Sequence, residues 1–107
     1  MSLERILQAL TNLGLSSIEA EIYIYLAKKG SMKAIALASG LNHSKNQIYS
    51  SLKVLTIKGL VTKRGTLFSA LPFEEALELL IELEKEQAQV LNESKEKLLA
   101  SWETKNQ

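Results

Sequence analysis

Apolar side chains recur at steps of three and four along most of this chain. Leu3, Ile6, Leu7, Leu10 and Leu13 share one face, which predicts an amphipathic helix over 2–12. Asn12 and Gly14 supply its stop. Ser16 with Glu19 three residues on forms the pattern of a capping box, so a second helix is expected from there to Lys29. Ile18, Ile22, Tyr23 and Leu26 make its inward stripe, and Gly30 closes it. Ser31 is placed to cap a short third helix over 32–39, ended by Ser39 and Gly40. A fourth helix, about 44 to 57, hides Ile48, Leu52 and Leu55 and turns Asn46, Ser50 and Lys53 the opposite way. Lys58 and Gly59 stop it.

The period then switches from helical to alternating. Leu60–Thr62 and Thr66–Ala70 are two short β-type runs around Lys63, Arg64 and Gly65, a hairpin with a basic tip. Pro72 opens a long helix, because its fixed φ is tolerated in a first turn. No Gly or Pro interrupts the chain from Phe73 to Trp102. A helix of that length spans ~44 Å. Ala76, Leu77, Leu80, Leu83, Val90, Leu91, Leu98 and Trp102 lie near one side, with Gln87 and Ser94 interrupting the stripe. The last five residues, 103–107, are expected to fray.

The predicted order is therefore helix, helix, short helix, polar-faced helix, hairpin, long helix. That makes the fold mainly α: a winged helix-turn-helix with a short two-stranded wing and a long C-terminal helix. The division expected is 1–71 for the winged helix and 72–107 for the long helix.

Charge sharpens this picture. The net charge of +1 hides a separation: residues 1–73 carry nine Lys/Arg and three Glu, while 74–107 carry four Lys and nine Glu. No acid occurs between Glu21 and Glu74, although eight basic residues do. A surface that lacks negative charge suits a polyanion. In a helix-turn-helix the second helix enters the major groove of double-stranded DNA. Asn and Gln pair with adenine there, and Lys reaches guanine or phosphate. The expected DNA-binding residues are Ser44, Lys45, Asn46, Gln47, Tyr49, Ser50 and Lys53 on the fourth helix, with Lys63 and Arg64 on the wing. Lys33 is a further candidate for the backbone.

Composition excludes much else. Cysteine is absent, and so is every thiolate site or disulfide. There is one histidine, His43, and no aspartate, so neither a His/carboxylate metal cluster nor a Ser-His-Asp set can be assembled from one chain. "KKGS" and "KRGT" lack the glycine spacing of a phosphate loop. No enzyme and no cofactor is expected, and His43 is expected to be a hydrogen-bonded turn residue. No apolar run is long enough to span a membrane, and the cytoplasm is the expected location.

The segments "LGLSSIEAEIYIYLAKKG", "AIALASGL", "IYSSLKVLTIKGLV" and "FSALPFEEAL" resemble the TrmB-type winged-helix transcription regulators, over about residues 13 to 77. The family pattern has Glu-Ala-x-x-Tyr before the turn, Ile-Tyr in the recognition helix, Lys-Gly-Leu-Val after it, and Glu-Glu-Ala beyond the wing. The resemblance implies DNA binding. Two departures stand out: about two extra residues between Gly40 and Ile48, and a shorter, less basic wing. The large sugar-sensing C-terminal domain of fuller members is absent from these 107 residues, so the resemblance supplies no effector.

The long acidic helix would be repelled by DNA and must lie away from it. Its stripe needs a cover that one winged helix cannot provide. Leu80, Leu83, Gln87, Val90, Leu91, Leu98 and Trp102 are the expected homodimer interface, with help from the first helix. The expected function is sequence-specific DNA binding by a small homodimeric regulator, most simply a repressor. Two alternatives stay open: a winged-helix protein-protein adaptor, and a non-specific architectural DNA-binding protein.

Overall fold

Side-chain caps mark where three of the helices begin. The computed structural model describes residues 2–105. Among them, five helices and one hairpin run in the order α1 (Leu3–Asn12), α2 (Ser17–Lys29), α3 (Ala34–Leu41), α4 (Lys45–Lys58), β1 (Val61–Arg64), β2 (Leu67–Ala70) and α5 (Phe73–Lys105). Ser2 Oγ accepts from the Arg5 amide at 3.3 Å and starts α1. Ser16 and Glu19 form the expected reciprocal box at the head of α2, with N···O distances of 3.0 and 3.1 Å. Ser44 and Gln47 form a second box at the head of α4. Each cap satisfies amides that have no partner within the helix and contributes about 1 kcal/mol.

The third helix departs from expectation. Ser31 does not cap it. The backbone at Met32 is drawn into the wing instead, exchanging hydrogen bonds with Phe68 of 3.1 and 2.9 Å. Ser31 Oγ meets Ser69 Oγ at 2.5 Å on the same side. An extended residue cannot also begin a helix, so α3 starts two residues later than expected, behind Lys33, which makes no side-chain cap bond. The helix also passes through Gly40 rather than ending there. The Tyr25 ring lies against that glycine: a Cβ would come 2.7 Å from Tyr25 Cζ and closer still to the hydroxyl. Asn42, in the left-handed region at φ 58°, ends α3.

The wing is antiparallel, with Val61 opposite Ala70 and Arg64 opposite Leu67. This register places the turn at Gly65 and Thr66. Lys63 and Arg64 are thus the end of β1 rather than the tip. Gly65 alone has a positive φ in the turn, 60°, which is the pattern of a type II′ hairpin.

The core forms around α2. Ile22, Tyr23 and Leu26 are buried against Leu10, Leu37, Ile48, Leu52, Leu55, Leu60 and Val61. Full burial of each such aliphatic side chain stabilises by ~1.5–3 kcal/mol. The Tyr23 hydroxyl donates to the Leu71 carbonyl, which ties α2 to the link between wing and α5. Burial pushes that phenol's pKa up to about 12.

Only the start of α5 belongs to this core. Ala76 and Leu80 are fully buried, and Leu77, Leu79, Leu83 and Glu84 are half-buried. The helix passes the α1–α2 turn, where Glu84 lies beside Gly14, and the end of α4, where Leu79 lies beside Gly59. From Lys85 to Thr104 every residue except Ser94 is exposed. The molecule is elongated accordingly, 55 Å by 29 Å by 26 Å. Of the expected frayed tail, Glu103–Lys105 are helical, and Asn106 and Gln107 lie outside the described residues.

Candidate nucleic-acid interface

The 3.6-residue period splits α4 into two faces. Ile48, Ser51, Leu52 and Leu55 are buried, while Lys45, Asn46, Gln47, Tyr49, Ser50 and Lys53 are all exposed. Helical spacing sets Asn46, Ser50, Lys53 and Ile57 in one outward row. Tyr49, 56% exposed, lies on the flank that faces the wing. There it joins Lys33, Ala34, Ile35, Lys63, Thr66 and Phe68 around a shallow cleft. Lys63 is opposite Phe68 across the hairpin, with its ammonium 5.5 Å from the ring centroid. Arg64 is also exposed, but alternation along the strand turns it to the other side of the wing.

Two expected contact residues have local work. Ser44 Oγ accepts from the Gln47 amide at 3.2 Å, and Gln47 Oε1 accepts from the Ser44 amide at 3.3 Å. The Ser44 hydroxyl also donates to Gln47 Oε1. The cap leaves the Gln47 side-chain NH₂ to donate outward, and it fixes the start of α4 that the sequence left open. Lys58 turns back to the protein, donating to the Gly14 carbonyl at 3.4 Å.

Charges on this surface are uncompensated. Among the described residues the one ion pair is His43 Nε2 with Glu21 Oε2, at 2.7 Å. It engages the last acid before the acid-free stretch and is the hydrogen bond expected of the turn histidine. Lys33, Lys45, Lys53, Lys63 and Arg64 have no carboxylate partner among the described residues. Lys33 and Ile35 were the residues least marked by pattern, because Ser31 carried the apparent cap. The signal for them is a basic residue at the head of the helix preceding the recognition helix.

The stripe expected for the homodimer divides in two. Leu80 is buried in its own protomer and has no area left for a partner. Leu83 is half-buried and Gln87 is exposed. Val90, Leu91, Leu98 and Trp102 are 59–66% exposed. Ile57, 77% exposed at the end of α4, is adjacent to Leu83 and Gln87 and extends the apolar surface.

Four helices followed by a wing, with a polar-faced α4 and a basic hairpin, define a winged helix-turn-helix of the kind used by DNA-binding regulators. Residues 10–74 match the family model described as "Sugar-specific transcriptional regulator TrmB". That match spans more than half of the chain, and the chain belongs to this family of transcription regulators, which is not a family of enzymes. No curated protein matches the chain. Among the described residues no helix is long and apolar enough to cross a membrane, and no group of three His, Cys, Asp or Glu is placed to hold a metal.

Proposed function

We propose that two copies of this chain bind double-stranded DNA, each laying α4 in the major groove, and that they act as a small repressor. Residues 1–71 carry the DNA contacts and residues 72–107 join the copies. The observation that carries this reading is the segregation of charge on the fold. The exposed face of α4, the head of α3 and the wing are free of acids, while α5 holds nine glutamates beside an uncovered apolar stripe. Asn46 and Ser50 lie where base edges would be met, and Gln47 offers its NH₂ beside them. Lys45 and Lys53 flank them toward the phosphates. Tyr49, Lys33 and Lys63 converge on one cleft and take one strand's backbone. Arg64, on the wing's other side, takes the adjacent minor groove or backbone. Two such units joined through α5 would address half-sites about one turn apart, ~34 Å.

Fluorescence anisotropy with a random-sequence duplex across salt concentrations tests the reading. A dimer neutralising about six to eight phosphates gives a log–log salt slope of roughly −5 to −7. Salt-insensitive or absent binding would favour a protein-protein adaptor.

A further inference from the structure

A second feature of the fold lies away from the DNA face. Leu3 and Leu7 of α1, Ile24 and Tyr25 of α2, and Leu41 of α3 wall a cleft of about 300 Å³. Its walls are apolar, and its charged lining is Glu21, Lys28 and Lys29. Glu21 is already paired with His43. The two lysines have no carboxylate partner among the described residues, and against the single Glu21 they leave the cleft's lining with a net positive charge. The size is at the lower end of the ~300–1,000 Å³ typical of small-molecule sites.

The cleft touches the recognition helix through two links. Glu21, on its wall, bonds His43, which immediately precedes the Ser44 cap of α4. Tyr25, on its wall, lies with its ring against Gly40 in the last turn of α3. Leu41, between these contacts, is itself a wall residue. Glu21, Tyr25 and Leu41 thus join the cleft's wall directly to the turn that precedes α4.

We propose that this cleft binds a small amphipathic carboxylate, with its apolar tail among Leu3, Leu7, Ile24 and Leu41 and its carboxylate at Lys28 and Lys29. Occupancy displaces the α3–α4 turn and lowers DNA affinity. The binding step stands on the cleft alone, and the regulatory step rests on the DNA-binding reading above.

The probe is decanoate, followed through methyl NMR signals of the full chain without DNA. The expected result is saturable, sub-millimolar shifts at Leu7, Ile24 and Leu41. Reversing both lysines (Lys28→Glu with Lys29→Glu) weakens binding about tenfold while the fold persists, since both side chains are exposed. Leu3→Trp, at the half-open mouth, blocks it. Decylamine binding as well as decanoate, shifts confined to α5, or a spectrum that changes with protein concentration at these methyls would each overturn the assignment, the last because a second copy then fills the cleft. Saturating shifts with unchanged anisotropy of a bound duplex would overturn the regulatory step. Failure of the duplex to bind at all would overturn the DNA reading and leave the cleft result intact.

Discussion

Replacing Leu91 and Leu98 together by glutamate should separate the copies without unfolding either. In the protomer these side chains are 65% and 60% exposed, so neither supports its own core. Each therefore offers a partner roughly 110 Å² of apolar surface, or ~3 kcal/mol at 25 cal/mol per Å². A symmetric pair holds four such side chains, an upper limit of ~11 kcal/mol, of which association retains only part. Losing even half, and adding four carboxylates to an already acidic rod, raises the dimer dissociation constant by well over ~1,000-fold. Sedimentation equilibrium reads the change: a dimer at tens of micromolar for the natural chain, a monomer for the double variant. Circular dichroism on the same samples should keep its helical signal from the winged helix. A natural chain that sediments as a monomer at that concentration, or a variant that remains a dimer of unchanged affinity, refutes the assignment of α5.

Other expected outcomes concern the DNA face and the core. Replacing Lys63 and Arg64 by alanine weakens binding to every duplex alike and reduces the salt slope by about 2 per protomer, measurable by anisotropy. Asn46→Ala or Ser50→Ala instead changes the ranking of duplexes recovered from a random pool, by ~1–3 kcal/mol for any base pair read bidentately. Tyr23 predicts an alkaline signature. Its neutral form is favoured in the fold, so its stabilisation is complete below the ordinary phenol value of 10.0 and is lost as the pH rises from there to about 12. Urea unfolding should show the advantage of the natural chain over Tyr23→Phe shrinking by about 2 kcal/mol across that window.

The elements with local, self-contained signals were legible in the sequence. Ser16 with Glu19 sets the start of α2 by two hydrogen bonds within four residues, and the Ile48–Leu52–Leu55 stripe sets the rotation of α4. Features that depend on distant backbone were not. Met32 pairs with Phe68 across 36 positions, and no alternation around Met32 announces a strand. Ser31 has the chemistry of a cap, but its hydroxyl is taken by Ser69 once the wing forms. Along α5, Leu80 and Leu91 share a stripe, and periodicity cannot tell that one is covered by its own protomer and the other by nothing. The chemistry of the candidate interface was visible as residue types. The convergence of Lys33, Tyr49 and Lys63 on one cleft needed the third dimension.

The most direct measurement is amide NMR of the labelled protein titrated at low salt with a duplex selected from a random pool. Shifts at Lys33, Asn46, Ser50, Lys53, Lys63 and Arg64, with α5 unmoved beyond Lys85, are the predicted result. Shifts concentrated on α5, or a recognition helix and wing left unperturbed by saturating duplex, would contradict it.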